Sequence, residues 1–271
     1  MVEFCQPGGM SGEEVRTVAA AIKRYGVGIV QFTGGETTFY LKQIDQILLE
    51  SGDLSRCRIA ITTNGHFAKT TGAALKVLKS LRKLDIVQLS YDKFHGKFLP
   101  FSNVENLRCA CEVLGTRLTV NLSIQSPTDL LLLPKLKAAG ITDVKVQKIL
   151  PIGAAKLNGV AFPTLAFDKK VLSKKCPGVN AIIYLCGRGF SNCCVTLALC
   201  GKYPGMYYPT VEKLLRSKVY RLMAENTFGR IMKKLSFPAT DLKPEHSSEC
   251  VLCEYIFKNR PEALAIDGQQ G

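Results

Sequence analysis

Short apolar runs alternate with longer amphipathic stretches through residues 11–149. An apolar stripe at Val15, Val18 and Ile22 predicts a helix over residues 11–25, and the run at residues 29–32 predicts a buried strand. The alternation then repeats, with strands predicted at 58–62, 86–89, 118–124 and 144–149, and helices at 40–49, 73–84, 104–114 and 130–139. Short connections between such elements require parallel strands and right-handed crossovers, which predicts an α/β barrel or an open α/β sheet.

The alternation stops after residue 159, where cysteine and glycine become frequent. Short β-like runs are predicted at 181–185 and 195–199, and a basic helical stretch at 211–235. We therefore expect two domains, an α/β domain over residues 1–159 and a small Cys-rich α+β domain over residues 160–271.

Polar or glycine-bearing groups recur where the predicted strands end. These residues are Gly34, Gly35, Glu36, Asn64, Ser90, Asp92, Gln125 and Ser126. One polar strand end is ordinary turn chemistry. Because parallel strands end at one edge, where α/β proteins bind their ligands, four such ends favour a binding site there. His66 and His95 also follow strand ends, and the sequence favours a surface-loop role for each.

Cysteine is unevenly distributed, with seven of the eleven cysteines lying between residues 176 and 253. The amino-terminal residues do not resemble a secretory signal, which predicts a cytoplasmic protein whose cysteines bind metal or do redox chemistry. Cys250 and Cys253 form a CxxC pair that needs two more thiolates to complete a metal site. Cys176 and Cys194 are the candidates, with Cys186, Cys193 and Cys200 as rivals; zinc and an iron–sulfur cluster suit such a set equally well.

Charge and hydropathy limit the kinds of binding partner that the sequence predicts. The net charge is +14, but the basic residues are scattered and not interleaved with aromatic residues, so nucleic acid is an unlikely partner. A basic cleft for an acidic or phosphorylated substrate would give the same composition. No apolar run reaches the length needed to span a membrane, and 46% apolar residues are enough for a core.

Two motifs, taken in order, resemble the radical S-adenosylmethionine (SAM) superfamily. They are the run FTGGE at residues 32–36 and the run TTNG at residues 62–65. The later spacing Cys176-x12-Gly189-x4-Cys194, followed by Cys250-x2-Cys253, resembles that superfamily's SPASM or twitch extension. The resemblance implies a partial (β/α)6 TIM-like barrel without its first strand, S-adenosylmethionine as cofactor and an auxiliary [4Fe-4S] cluster.

The same resemblance assigns ligand contacts to individual residues. It implies that Gly34, Gly35 and Glu36 contact the SAM amino group, with Asn64 beside them, and that Ser90 and Asp92 contact its carboxylate or ribose. It further implies ribose contacts at Asn121, Ser123 and Gln125, an adenine contact at residues 150–153, which include Ile152, and auxiliary-cluster ligation by Cys176, Cys194, Cys250 and Cys253.

One departure concerns the CxxxCxxC loop that binds the SAM-cleaving cluster. Cys5 stands where the third cysteine of that loop is expected, and Val2 stands where the second is expected. We expect a truncated loop in preference to a natural remnant, and poor or absent SAM cleavage by the chain as given.

The functional expectation is an enzyme of the radical SAM oxidoreductase or maturase type. It would abstract hydrogen from a peptide or small-molecule substrate, with electrons from a donor such as a flavodoxin or ferredoxin; no catalytic side chain is assigned. The alternative is a non-catalytic, degenerate barrel with structural zinc at the four cysteines, binding a nucleotide or nucleic acid.

Overall fold

The computed structural model describes residues 8–193, 196–199 and 203–265. The chain divides into two compact units, one spanning Gly8–Lys148 and the other beginning at Ile149. The sequence pattern had placed this division after residue 159. None of the helices in the described ranges is both long and apolar enough to cross a membrane.

The first unit alternates helices and strands as predicted. In chain order its elements are α1 (Gly12–Tyr25), β1 (Ile29–Phe32), α2 (Leu41–Glu50), β2 (Arg58–Thr63), α3 (Thr71–Leu78), β3 (Ile86–Ser90), α4 (Phe101–Leu114), β4 (Arg117–Ile124), α5 (Leu132–Ala138) and β5 (Val144–Lys148). α1 begins with a capping box between Ser11 and Glu14 and ends at Gly26, whose φ of +54° is the left-handed conformation that glycine adopts without strain.

The five strands form one parallel sheet in the order β1-β2-β3-β4-β5, which confirms the predicted α/β class. The register pairs Val30 with Ile59, Thr62 with Gln88, Ser90 with Asn121 and Ser123 with Gln147. Strands that follow the chain order are joined by crossovers of one hand, so the connecting helices lie on one face of the sheet. β1 and β5 are the two edges of this sheet in the described part of the chain.

The helix-covered face of the sheet is apolar. Its side chains are Val30 and Phe32 on β1, Ile59 and Ile61 on β2, Val87 and Leu89 on β3, and Val120 on β4. They pack with residues of α2 to α5 in one hydrophobic core. Alternate residues of the same strands point to the opposite face, which has no covering helix from these crossovers and carries polar side chains.

The second unit contains less regular secondary structure than the first. Its elements are α6 (Gly153–Leu157), β6 (Ile183–Leu185), β7 (Gly189–Ser191), α7 (Thr196–Leu199), α8 (Val211–Arg216), α9 (Lys218–Glu225), α10 (Phe228–Lys234) and α11 (Glu249–Asn259). β6 and β7 form an antiparallel pair. A separate hydrophobic core unites residues of α7 and α9 to α11 with the segment around Val171.

Two predictions of secondary structure were wrong. Residues 196–199 are helical and not a strand, because burial of Leu197 in the second core overrides the β propensity of the run. The helical stretch predicted at 211–235 is confirmed, and it divides into three helices, since the hydroxyls of Ser217 and Thr227 cap the starts of α9 and α10. The helix predicted to reach residue 84 ends at Leu78, where the Ser80 hydroxyl bonds the Val77 carbonyl.

Candidate functional site

The turn after β1 leaves the backbone of Gly34 and Gly35 uncovered by side chains at the carboxyl edge of the sheet. Gly34 has a φ of +150°, a conformation that residues with a Cβ rarely adopt. No atom of the described residues lies within 4 Å of the position that a Cβ would take at Gly34 or at Gly35. The polypeptide there is open on one side, so a ligand can approach its carbonyl and amide groups directly.

The Glu36 carboxylate ties the ends of β1 and β2 together. Its Oε1 accepts hydrogen bonds from the Thr38 amide (3.2 Å), the Thr38 hydroxyl (2.7 Å) and the buried Thr63 hydroxyl (2.8 Å). Its Oε2 accepts one bond, from the Asn64 amide at 2.9 Å. A carboxylate oxygen offers about two lone pairs, so Oε2 can accept a further donor from a ligand.

A chain of amide side chains crosses the polar face of the sheet. Gln31 Nε2 donates to Thr62 Oγ1 at 3.0 Å and to Gln88 Oε1 at 2.9 Å, and Asn121 Nδ2 donates to the same Gln88 oxygen at 3.3 Å. The sequence prediction included Asn121 but missed Gln31 and Gln88. The available signal was a single polar residue inside each apolar strand, on the side opposite the core.

Asp92, which follows β3, is buried and bonded within its own loop. Its Oδ1 accepts from the amides of Phe94 (2.9 Å) and His95 (3.0 Å) and lies 2.8 Å from His95 Nδ1. Burial opposes ionisation of Asp92, but the bonds from His95 and Phe94 outweigh it and lower its pKa. The same hydrogen bond raises the pKa of His95 against the opposing effect of burial. A ligand contact by Asp92 stays a prediction.

The other predicted ligand contacts are distributed between the two units. Ser90 and Asn121 are paired in the register, and Ser123 accepts a bond from Gln147 at 3.0 Å. Asn64 Oδ1 accepts from the His66 amide at 2.9 Å, and the Gln125 amide donates to Asp129 at 2.7 Å. Ile152 precedes α6 in the second unit. Cys5 and Cys194 lie outside the described residues.

In the second unit, thiols from three separate chain segments line one cavity of about 40 Å³. The thiols belong to Cys176, Cys193, Cys250 and Cys253, and the apolar part of the lining includes Leu197, Met223 and Phe228. Three of these cysteines are those expected from the sequence, and the fourth, Cys193, was a rival to Cys194. Within the described ranges, no three His, Cys, Asp or Glu side chains are grouped tightly enough to hold a single ion as they stand.

The segment that carries Cys176 is fixed by three neighbouring helices. The Lys174 carbonyl accepts from the first amide of α10 at 2.9 Å, and Lys175 Nζ donates to the Ala224 carbonyl in α9 at 2.9 Å. Lys174 Nζ also forms a 2.6 Å ion pair with Glu249 at the start of α11. These bonds hold Cys176 at a defined position beside the helix that carries the CxxC pair.

The cavity has an electrostatic requirement that follows from its burial. Burial raises the pKa of the Cys253 thiol, and the nearby thiols of Cys176 and Cys193 raise it further. Cys250 and Cys253 lie in the first turns of α11, whose amino terminus favours negative charge. Burial thus favours the neutral form of the Cys253 thiol, whereas a metal centre bound beside it would favour the thiolate.

Two further residues of the second unit have structural roles. A Cβ at Gly178 would lie 2.2 Å from the Asn192 carbonyl oxygen and 3.7 Å from Cys176 Sγ, so only glycine fits there. His246 is buried, stacks on Tyr255 at 4.1 Å and accepts the Lys243 amide at Nδ1. Desolvation lowers the pKa of His246, as expected for a neutral core histidine.

No protein-family model matches this chain, and no curated protein matches it.

Replacing Gly178 with alanine should destabilise the second unit by about 1–3 kcal/mol, because the added methyl group overlaps the Asn192 carbonyl. Denaturant unfolding of the intact chain measures the change. Gly28→Ala is the matched control, since no atom in the described part of the chain lies within 4 Å of its Cβ position. Equal stability of the two variants would contradict the close approach.

The Asp92–His95 pair predicts a defined pH dependence of stability. The raised pKa of His95 makes its contribution complete below the ordinary value of 6.5 and removes it as the pH rises through the higher folded value. The lowered pKa of Asp92 makes its contribution present above 3.8 and removes it as the pH falls through the lower folded value. The difference in unfolding free energy between native protein and His95→Gln should therefore be largest between about pH 4 and 6.5.

Besides the unfolding free energy, the pKa of His95 can be measured directly by proton NMR titration. Asp92→Asn should lower the pKa of His95, and Ser90→Ala should leave it unchanged. A stability difference that is constant from about pH 4 to 9 would contradict an ionic pair.

Proposed function

We propose that this protein is a radical SAM-type enzyme that binds S-adenosylmethionine at the carboxyl edge of its sheet and an iron–sulfur cluster in its second unit. The observation that supports this most strongly is the cavity lined by Cys176, Cys193, Cys250 and Cys253. Cysteines from three separated segments line one cavity, and four such thiols are the donor set that a zinc ion or an iron–sulfur cluster takes once they are deprotonated.

The proposed architecture for the first unit is a partial (β/α) barrel. Sequential strand order is the order found in barrels, whereas a doubly wound sheet reverses its order at a switch point. The polar face formed by Gln31, Gln88 and Asn121 is then the concave, ligand-facing side. Ligands of such folds bind where the strands end, which is where the Gly34-Gly35-Glu36 turn lies.

The residues at this edge fit the methionine end of S-adenosylmethionine. The open backbone at Gly34 and Gly35 offers carbonyl acceptors to an ammonium group, and Glu36 Oε2 can accept a further donor. Thr38 and Thr63 hold the Glu36 carboxylate in place before a ligand arrives, which reduces the cost of ordering it. Hydroxyl and amide groups of Ser90, Asn121 and Ser123 remain the proposed contacts to the carboxylate and ribose.

The cavity fits an iron–sulfur cluster by its donor set, since four thiolates are the usual ligands of such clusters. Cys176, Cys193, Cys250 and Cys253 would hold the cluster, and the apolar lining would exclude water. When the SAM-cleaving cluster of the CxxxCxxC loop is also present, S-adenosylmethionine and the clusters would supply one-electron chemistry that ends in hydrogen abstraction from a substrate. The chain's own residues bind and orient these groups.

The proposed substrate is a peptide or a small molecule, and the proposed electron source is a carrier such as a flavodoxin or ferredoxin. A cytoplasmic location agrees with cysteines that are held as metal ligands and not as disulfides.

Anaerobic reconstitution with iron and sulfide tests this proposal. We expect broad absorption near ~400 nm, where thiolate–iron charge transfer falls, with iron and acid-labile sulfide bound together. A Cys250→Ala, Cys253→Ala double variant should lose most of both. The matched control is Cys57→Ala with Cys109→Ala, because these cysteines belong to the first unit and do not line the cavity.

Two further variants test which of the adjacent residues Cys193 and Cys194 is the fourth ligand. Cys193→Ala should lose the absorption, and Cys194→Ala should retain it if Cys193 is the fourth ligand. Zinc without sulfide in every preparation would instead favour a structural zinc site and would contradict the iron–sulfur proposal.

A further inference from the structure

The three short helices α8, α9 and α10 have one basic side and one buried side. Their exposed long side chains include Lys213 and Arg216 on α8, Lys218 and Arg221 on α9, and Arg230, Lys233 and Lys234 on α10. On α8 and on α9 the two basic positions are three residues apart, and on α10 Arg230 lies three residues before Lys233 and four before Lys234, so the basic positions of each helix lie towards one side of it. We call these seven side chains the basic face.

The basic face is unusually rich in positive charge. Residues 211–234 contain seven basic and two acidic side chains, Glu212 and Glu225, which gives a net charge of +5 (seven minus two) in this stretch alone. Arg216, Arg221, Arg230, Lys233 and Lys234 form no ion pair with any residue that the structure describes. Such a surface attracts acidic partners by long-range electrostatics.

The opposite sides of two of these helices, α9 and α10, reach the cysteine cavity. Met223 of α9 and Phe228 of α10 are fully buried and line that cavity beside the four thiols. An α-helix with its side chains is about 10–12 Å across. A partner on the basic face would thus be separated from the cavity by about one helix diameter.

We propose that the basic face docks an acidic electron-carrier protein that exchanges one electron with the cluster of the second unit. This inference rests on the proposed function, because it needs a redox centre in the cavity. The reduced carrier, a flavoprotein or an iron–sulfur protein, loses one electron and the cluster gains it; no bond is formed or broken. The proximity of the cavity favours a redox partner over nucleic acid, which the charge alone would also suit.

The test compares charge-reversed variants of the intact chain. Arg230→Glu, Lys233→Glu and Lys234→Glu together replace three exposed positive charges behind the cavity. The control is Lys23→Glu, Lys76→Glu and Lys79→Glu, which changes the net charge equally on exposed positions of the first unit. Both variants should bind as much iron and sulfide as the native chain, and excess dithionite should bleach each to the same extent.

Two quantities are measured with reduced, acidic flavodoxin as the probe: its affinity for each protein, and the rate constant for bleaching of the cluster in rapid mixing. We expect both to fall about tenfold or more in the α10 variant, to change less in the control, and to fall with added salt because the steering is electrostatic.

The possible outcomes distinguish a failure of the docking proposal from a failure of the proposed function. Iron and sulfide loading with unchanged flavodoxin affinity and bleaching rate in the α10 variant would overturn this inference and leave the proposed function standing. Absence of iron and sulfide from every preparation would contradict the proposed function and this inference with it. Tight, salt-sensitive binding of random-sequence RNA that the α10 substitutions abolish, with flavodoxin unaffected, would assign the face to nucleic acid and overturn the proposal.

Discussion

The handedness of the crossovers between parallel strands is the constraint that shapes the first unit. Because the strands follow the chain order, every crossover helix packs on the same face, and the hydrophobic core forms there. The other face can therefore carry amides and hydroxyls without disturbing the core, as Gln31 and Gln88 show. The strand ends gather along one edge, which places Gly34, Gly35 and Glu36 beside the ends of the neighbouring strands.

The second unit depends on a different constraint, the meeting of four cysteines around one cavity. Of the four, Cys253 is buried, and desolvation raises the pKa of its thiol. The surrounding bonds are nonetheless those of a defined site: Lys174 and Lys175 fix the chain before Cys176, and Gly178 admits the Asn192 carbonyl at close range. We interpret this combination as a preformed site whose four cysteines would bind a metal centre.

Much of this organisation follows from local sequence. The strand at Ile29–Phe32 was predicted residue for residue, since an apolar run that stops at two glycines has few alternatives. The CxxC pair and Cys176 were identified by spacing. Spacing alone does not separate the adjacent Cys193 and Cys194, of which the structure describes Cys193. The link from Gln31 to Gln88 was equally hidden, because it depends on a register between strands 57 residues apart.

The central claim is that the four cysteines hold an iron–sulfur cluster. X-ray absorption at the metal edges of the reconstituted protein examines this most directly, because it reports the element, its ligands and any neighbouring metal. We predict iron with sulfur ligands and a second shell of iron atoms. Zinc with four sulfur ligands at about 2.3 Å and no metal shell would contradict the account.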